Sequence, residues 1–341
     1  MTTPDSRLPT IRQVAERAGV SKSLVSLVLG GSSHVSAGKR AAVEAAMAEL
    51  GYRPNAIARN LSSRQSHLIG VVLNDLRNPW YIAALDGLTS VLHPKGFRLL
   101  LADGRVDRET DDALIESLLE LRVDGIVILG SMPPSDITLA ALTAIPAVVA
   151  SSRDIDMPEV DVVVNDDWLG SRMAIDHLVS LGHSRIAHVS GLVGNVAAMR
   201  QASYRDAMRE HGLERFVQVE PSDMTEDGGY RAGSKLLEAE TRPTAIFAVN
   251  DVAAIGAMSA AKELDIRVPE DVSVVGYDNT FLAQVRQISL TSVDNASFEV
   301  GQRAGMSLLK RMSSPHSPRK DESIQPALQV RGSTSSPPRS L

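Results

Sequence analysis

The stretch from Thr10 to Leu61 constrains this chain most, because its first twenty residues have the pattern of a helix-turn-helix. Gly19 can adopt a positive φ without strain, which suits a sharp turn between two helices. Ser21 then stands where an N-cap belongs, with its hydroxyl available to the next turn. A first helix is predicted by apolar residues at helical spacing, namely Ile11, Val14, Ala15 and Ala18.

A second helix is predicted over Lys22–Leu29, with one apolar and one polar face. The apolar face consists of Leu24, Val25 and Val28. The polar face consists of Lys22, Ser23 and Ser26. A short polar face that begins with a cation fits the major groove of DNA. The alternative for these residues alone is a pair of amphipathic helices in an ordinary bundle.

The segments after the second helix favour the first interpretation. Gly30 and Gly31 can end that helix, and Ser36 can cap a third over Lys39–Leu50, with Val43, Ala46, Met47 and Leu50 facing inward. A break at residues 51–55 and a short apolar segment, Ala56–Leu61, follow.

Charge is divided unequally along the chain. Residues 1–66 hold nine Lys and Arg against four Asp and Glu, a net charge of +5. The whole chain has −6, so residues 67–341 carry −11. A basic head on an acidic body is expected where one end of a chain contacts nucleic acid. A chance cluster of solvated helix faces is the alternative.

From Leu68 onward, short apolar runs alternate with helical patterns. Continuous apolar strands between helices predict parallel sheets covered on both faces, and two series of strands predict two lobes. The predicted strands are Leu68–Leu73, Phe97–Leu101, Gly125–Leu129, Ala147–Ala150, Val160–Val164, Arg185–Ser190, Ala245–Val249 and Val272–Gly276. The predicted helices include Asp107–Leu121, Trp168–Leu181, Arg200–His211, Gly229–Glu238 and Val252–Leu264. Residues 313–326 are predicted to be a loop, and residues 333–341 a frayed tail.

Composition narrows the class of protein further. The chain has no cysteine, which is compatible with a reducing cytosol. The first residues lack the apolar segment of a secretory signal, and no apolar run approaches the ~18 residues of a membrane-spanning helix. We therefore expect a cytoplasmic protein without a membrane partner. An exported or cytosolic sugar-binding protein without a DNA role is the alternative, and the basic head argues against it.

No catalytic motif stands out. Residues 191–194 follow a predicted strand but lack the full dinucleotide fingerprint, and neither a P-loop nor a G-x-S-x-G motif is present. His177, His183 and His188 fall on a helix, a turn and a strand, so they do not share one metal-binding face. We predict neither an enzyme nor a cofactor or metal site.

These segments together resemble the LacI/GalR (lactose-repressor) family of bacterial transcription regulators, over nearly the whole chain. The resemblance is carried by TIRQVAERAGVS, HVSAGKRAAVEAAMAELGYRPNAIARNL, SHLIGVV, NPWY, RVDGIVILG, LGHSRIAHVSG, RPTAIFAVND, VPEDVSVVGYDN and LQVRGST. It implies an all-α helix-turn-helix head over residues 1–54, a hinge over 55–66 and an effector-binding and dimerisation body over 67–341. That body would be a two-lobed, doubly wound α/β structure like a periplasmic binding protein.

The resemblance also implies a function. A homodimer would act as a repressor on a palindromic double-stranded DNA operator, under control of a small-molecule effector, with a sugar expected. Lys22 and Ser23 would read bases, Ser21 and Ser26 would contact phosphate or pack, and His34 and Ser36 would touch the DNA backbone. Leu27 replaces the arginine usual in the family, so it can offer a base only an apolar contact.

The hinge is expected to contact DNA too. Residues 55–62 resemble the family's hinge helix, with Asn55, Ala58 and Leu61 as DNA-contacting positions. In the family, paired leucines at the position of Leu61 enter the minor groove and kink the operator. An isolated helix this short does not persist in water, so we expect it to order on DNA. The alternative is that Leu61 anchors a short linker helix.

The effector is expected between the lobes, where the carboxyl ends of parallel strands meet. An adjacent Trp-Tyr pair opens the first helix of the body, and a flat ring beside carboxylates, amides and an arginine suits a sugar. The predicted effector residues are Asn74, Asp75, Trp80, Tyr81, Asn195, Arg200, Asn250, Asp251 and Asp278.

Overall fold

The computed structural model of this 341-residue chain describes residues 9–29, 32, 34–52, 65–104, 108–192 and 194–338, without the side chains of residues 108–110. Its internal contacts divide the chain into two compact units, Met1–Ser66 and His67–Leu341, here called the head and the body. None of the helices within the described ranges is long and apolar enough to cross a membrane.

The head has three helices: α1 Ile11–Ala18, α2 Lys22–Leu29 and α3 Ala37–Leu50. Thr10 and Gln13 form a capping box at the start of α1, which satisfies two of its orphan N–H groups. Gly19 ends α1 at φ 65°, the left-handed conformation that the turn to α2 requires. Val14, Val25 and Val43 are fully buried where the three helices meet. The predicted helix-turn-helix is thus confirmed.

The start of α3 differs from the prediction in two details. The helix begins at Ala37, two residues before the predicted Lys39. Ser36 occupies the N-cap position, but its side chain makes no capping hydrogen bond. Gly51 ends the helix at φ 61°. The predicted helix end at Gly30 and Gly31 and the predicted hinge helix over 55–62 lie outside the described residues.

The body contains two six-stranded sheets, which confirms the predicted two-lobed, doubly wound α/β architecture. The first sheet has the order β11-β5-β4-β3-β1-β2 and is parallel throughout. The second has the order β12-β10-β9-β8-β6-β7 and is parallel except for β12. The strands are β1 Leu68–Leu73, β2 Arg98–Asp103, β3 Gly125–Leu129, β4 Ala147–Ala150, β5 Asp161–Asn165, β6 Ile186–Gly191, β7 Gln218–Ser222, β8 Ala245–Ala248, β9 Ser273–Tyr277, β10 Thr291–Asp294, β11 Asp321–Ile324 and β12 Ala327–Gln329.

Helices cover both faces of each sheet. They are α4 Pro79–Leu92, α5 Arg108–Glu120, α6 Asp136–Ala144, α7 Asp167–Ser180, α8 Asn195–Glu210, α9 Glu226–Leu237, α10 Asp251–Glu263 and α11 Ser297–Ser313. Val71 and Val72 are both fully buried, yet they belong to hydrophobic clusters on opposite faces of β1. Ile246 and Phe247 show the same arrangement on β8. Because both faces of these strands are covered, each strand reads as a continuous apolar run.

Three short crossovers connect the lobes. The chain passes from β5 to α7 through Asp166, from β10 to α11 through Asn295 and Ala296, and from β11 to β12 through residues 325–326. Helix α11 then packs against α4 of the first lobe. Each lobe is therefore built from two separate stretches of sequence, and the cleft between the lobes lies beside the crossovers.

Two predictions about the end of the chain are wrong. The predicted loop over residues 313–326 contains β11, which pairs with β5 at the edge of the first sheet. The described part of the predicted frayed tail, residues 333–338, is held by hydrogen bonds at its start: the Ser333 hydroxyl donates to the Val274 carbonyl at 2.6 Å and accepts the Thr291 N–H at 2.8 Å. Polar composition misled both predictions, because β11 is a polar edge strand and Ser333 forms buried hydrogen bonds with the second sheet.

Candidate functional site

Four of the ten predicted DNA contacts of the head lie on the exposed face of α2. The Ser21 hydroxyl accepts the Leu24 N–H at 3.2 Å, so Ser21 caps α2. Val25 and Val28 point into the core of the head. The side chains left at the surface are those of Lys22, Ser23, Ser26 and Leu27. Leu27 is half exposed, so it presents an apolar group to the solvent.

The remaining predicted DNA contacts fall into two groups. His34 and Ser36 are exposed in the connection between α2 and α3. Asn55, Ala58 and Leu61 lie outside the described residues. In the described part of the head, Arg12 pairs with Glu16 and Arg17 with Glu49, both at the surface.

A cavity of about 400 Å³ lies between the two lobes of the body. Its walls include residues that directly follow β1, β3 and β4 in the first lobe and β6, β8 and β9 in the second. The carboxyl ends of two parallel sheets therefore converge on it, as expected of a ligand site in this architecture. Its volume is within the range of small-molecule sites. Seven of the nine predicted effector residues line it: Asn74, Asp75, Trp80, Tyr81, Arg200, Asn250 and Asp278.

The two aromatic rings of this cavity are fixed by the start of α4. Asn78 caps the helix by accepting the Trp80 N–H at 3.0 Å. The Trp80 and Tyr81 rings meet edge to face, with centroids 5.1 Å apart. The Trp80 Nε1–H donates to Asn295 at 3.0 Å, and the Tyr81 hydroxyl donates to Asn74 at 3.0 Å. Both rings are thus rigidly oriented before any ligand arrives.

Arg200 is the buried cation of the cavity. Its guanidinium donates to the Asp167 carboxylate at 2.8 Å and to the Val249 carbonyl at 2.5 Å. It also lies 3.6 Å above the centre of the Tyr277 ring, a cation–π arrangement. Because Arg200 already has these partners, its position is set by the second lobe and its charge is largely compensated within the protein.

Asp278 lies between Arg200 and the first lobe. One carboxylate oxygen is 3.6 Å from the Arg200 guanidinium and accepts the Asn295 amide at 2.9 Å. The other oxygen accepts the Asn78 amide, from the first lobe, at 3.4 Å. Burial raises the pKa of Asp278 to about 7, although Arg200 opposes this shift. The carboxyl group therefore changes its protonation near neutral pH.

The amides of the cavity are largely committed to the protein. Asn250 caps α10 through its carbonyl oxygen and donates to the Met224 carbonyl at 3.0 Å. Asn74 accepts from Tyr81 and donates to the Ser131 carbonyl at 2.5 Å. The Ser131 hydroxyl, by contrast, is buried in the wall without a hydrogen-bond partner among the described residues. Ser131 thus has hydrogen-bonding capacity that the described residues do not use.

Two predicted effector residues do not line this cavity. Asp251 is fully buried behind it, where its carboxylate accepts the Thr280 N–H at 2.6 Å and the hydroxyls of Thr280 and Ser292. Asn195 begins α8 and lines a neighbouring, smaller cavity instead. In both cases the residue follows a strand in sequence, but the direction of its side chain depends on the helix that it begins.

Several residues of the cavity were not predicted from the sequence: Arg77, Asn78, Ser131, Asp223 and Thr225. A signal existed for Asn78, which precedes Pro79 in the typical order of an N-cap and the first helical residue. Ser131 comes two residues after a predicted strand, where the carboxyl-end rule applies. Nothing local marks Asp223 or Thr225, since β7 before them was not predicted.

His183 and His188 serve the packing of the second lobe. His183 contacts the hydroxyls of Thr244 and Ser273, and burial lowers its pKa. His188 stacks on Phe247 with ring centroids 4.8 Å apart, and burial lowers its pKa to about 4. Within the described part of the chain, no group of three or more His, Asp or Glu residues could hold a metal ion.

Comparison with known proteins identifies the family of this chain. Residues 10–55 match the family model described as bacterial regulatory proteins, lacI family, and residues 175–334 match that of a periplasmic binding protein-like domain. The ribose operon repressor of Escherichia coli K12 is 32% identical over 330 residues, which cover 96% of this chain and 100% of that protein. The chain therefore belongs to the lacI family of bacterial regulatory proteins.

Two solved structures show the same architecture. The lac repressor dimer bound to operator and the anti-inducer ONPF has a TM-score of 0.83 and 30% identity, over 96% of this chain and 100% of that one. The complex of the transcriptional regulator CelR with cellobiose has a TM-score of 0.71 and 30% identity, over 95% of this chain and 99% of that one. The protein is accordingly a DNA-binding transcriptional regulator with a small-molecule effector.

Proposed function

We propose that the cavity between the lobes binds a neutral carbohydrate, and that this binding controls repression by a homodimer whose heads hold a palindromic operator in the bacterial cytoplasm. The observation that carries the proposal is one cavity that combines a rigid Trp80–Tyr81 pair with Arg200 and Asp278. No catalytic step is assigned to these residues.

The polar groups of the cavity favour a polyol. Sugar hydroxyls both donate and accept, so they can satisfy a carboxylate, a guanidinium and an unpartnered hydroxyl in one site. Asp278 and Arg200 supply the first two, and Ser131 the third. The Trp80 ring in the wall of the cavity matches the apolar face of a sugar ring.

Charge balance favours a neutral ligand over a phosphorylated one. Arg200 is held by Asp167 and lies near Asp278, while Arg77 forms a two-bond ion pair with Asp75 at the exposed end of the cavity. Asp223 adds a further carboxylate to the wall. The wall of the cavity holds two cations, Arg77 and Arg200, against three acidic groups, Asp75, Asp223 and Asp278, so its charge balance disfavours a phosphate.

The head contacts the operator through the surface described above. Lys22 and Ser23 reach base edges from the start of α2, while Ser21 and Ser26 contact phosphates. Leu27 packs on a thymine methyl, the one base feature that an apolar side chain can recognise. His34 and Ser36 contact the DNA backbone. Asn55, Ala58 and Leu61 contact DNA in the hinge, with Leu61 as the residue that enters the minor groove.

Intrinsic fluorescence and thermal unfolding test the effector site. The chain has two tryptophans, and Trp168 is 41% exposed on α7, away from the cavity. In a Trp168→Phe background, a bound sugar should change the emission of Trp80 and raise the melting temperature. The ligands to be tested are D-ribose, D-glucose, D-galactose, cellobiose, glucose 6-phosphate and hypoxanthine. If only glucose 6-phosphate or hypoxanthine produces both effects, the assignment of a neutral carbohydrate is wrong.

A further inference from the structure

A second cavity of about 200 Å³, here called the flank cavity, adjoins the effector cavity. The two cavities share Ser151 and Val196 in their walls. The flank cavity lies at the carboxyl ends of β4 and β5, opposite the start of α8. Its volume equals that of about six or seven waters in the liquid, which is room for one sugar ring.

Asn165, the last residue of β5, gives the flank cavity an unusual wall. Its side chain is 3% exposed, and its amide oxygen accepts the Ser151 hydroxyl at 3.2 Å. Its amide nitrogen is buried in the wall of the flank cavity and has no partner among the described residues. A buried donor without a partner is costly, and a native structure rarely leaves one without reason. This nitrogen is therefore a hydrogen-bond donor in the wall of the flank cavity that the described residues leave unused.

The other groups around the flank cavity show what kind of ligand fits. Asp166 lines it with a carboxylate that also accepts the Leu169 N–H at 2.9 Å. Arg153 lines it with a guanidinium that is 4.0 Å from Asp321. A wall with both an acidic and a basic group, and with serine hydroxyls between them, matches a neutral group with several hydroxyls better than an anion.

We propose that the effector has two linked sugar units, one in the effector cavity and one in the flank cavity, with the second unit accepting a hydrogen bond from the Asn165 amide. Asn165 is then a specificity residue that distinguishes disaccharides from monosaccharides. This inference rests on the proposed carbohydrate function, because the first unit must occupy the effector cavity.

Titration calorimetry on the full chain tests the proposal with cellobiose, maltose, lactose, melibiose and their component monosaccharides. At least one disaccharide should bind ten or more times more tightly than D-glucose and D-galactose. Asn165→Leu, which keeps the size of the side chain but removes its amide, should reduce that advantage to less than threefold. The quantity compared is the ratio of the monosaccharide Kd to the disaccharide Kd, so a change common to both ligands does not count. Circular dichroism and the melting temperature of the variant show that it is folded.

Met199→Leu provides the matched control, since it changes an apolar part of the same wall without touching a hydrogen bond. It should keep the disaccharide preference of wild type. If monosaccharides bind as tightly as every disaccharide, or if Asn165→Leu retains the full preference, the second subsite is refuted while the carbohydrate function stands. If no sugar of either size binds, the proposed function itself fails and the subsite with it.

Discussion

At the scale of single residues, the protonation state of Asp278 in the cavity affects the stability of the folded protein. Its carboxylate is buried between the two lobes and faces one arginine and two amides. Asp251, behind it, has a pKa raised by burial to about 6 and disfavours a second charge nearby. The ionised form of Asp278 is therefore less favourable in the folded protein than in the unfolded chain.

The sign of the resulting pH dependence is fixed. A carboxyl group whose pKa rises from 3.8 to about 7 on folding stabilises the fold below pH 3.8, and this contribution is lost as the pH rises through 7. We expect the difference in unfolding free energy between wild type and Asp278→Asn to fall by up to about 1.4 kcal/mol per pH unit between pH 4 and 7. Urea unfolding at pH 4, 5, 6, 7 and 8 measures it, and parallel profiles for the two proteins would contradict it.

Lys22 is the residue of the head with the clearest expected role. Its ammonium stands at the exposed start of α2, so Lys22→Ala should cost about 1–3 kcal/mol of specific binding and relax base choice at one position per half-site. Fluorescence anisotropy with an operator selected from random duplexes, and with a scrambled duplex, measures both effects. Lys39→Ala removes the same charge from α3 and should affect the two duplexes alike. An equal loss on both duplexes for Lys22→Ala would remove it from base reading.

Single residues also show what could not be predicted from the sequence. Asn250 and Asp251 are neighbours after the same strand, and both were predicted to bind the effector. The structure turns Asn250 to the cavity wall and buries Asp251 against Thr280. The direction of a side chain at a helix start depends on packing between distant segments. The sequence alone could therefore locate the cavity but could not show which of the nearby residues line it.

At the scale of elements, the burial of a strand determines how well it could be predicted from the sequence. Strands β1, β3 and β4 are covered on both faces, and their apolar runs gave their bounds to the residue. The edge strands β7 and β11 have the sequences QVEPS and DESI and are largely exposed or half-buried, so no apolar run marks them. Polar edge strands protect a sheet from pairing with other chains, and the same property hides them from a hydrophobic pattern.

The contribution of residues 333–335, which are hydrogen-bonded to the second sheet, to the stability of the fold can be tested directly. Ser333→Ala removes a buried hydroxyl that bridges β9 and β10, leaving the Val274 carbonyl and the Thr291 N–H each short of a partner. We expect a loss of about 1–3 kcal/mol in the free energy of unfolding. Ser336→Ala is the control, because that side chain is exposed. Chemical denaturation compares them, and equal stabilities would show that the segment does not support the second sheet.

At the scale of the whole molecule, Asn295 joins the cavity to the crossovers. It accepts from Trp80 of the first lobe and donates to Asp278 of the second, and the next residue, Ala296, has the unusual φ of 55°. An effector can shift DNA binding only by preferring one arrangement of the lobes over another. A side chain that bonds to both lobes at a crossover is well placed to set that preference.

Coupling measurements on Asn295→Ala test this role. In wild type, the effector should change operator affinity about 5- to 150-fold, and operator DNA should change effector affinity by the same factor. Asn295→Ala should lower that factor while the effector-free protein binds the operator as wild type does. Asn279→Ala is the control, since its side-chain bonds stay within the second lobe. An unchanged factor in Asn295→Ala would exclude this residue from the coupling.

The order of strands in the two sheets also has a consequence for biosynthesis. The first lobe is completed by β11 and the second by β12, which are adjacent in sequence near the end of the chain. The head can fold as soon as it leaves the ribosome, while the rest of the chain needs on the order of 15–60 s of further translation. Neither lobe can complete its sheet before then. The head of a newly made chain thus folds well before the body that binds the effector. The two lobes of the body complete their sheets almost together.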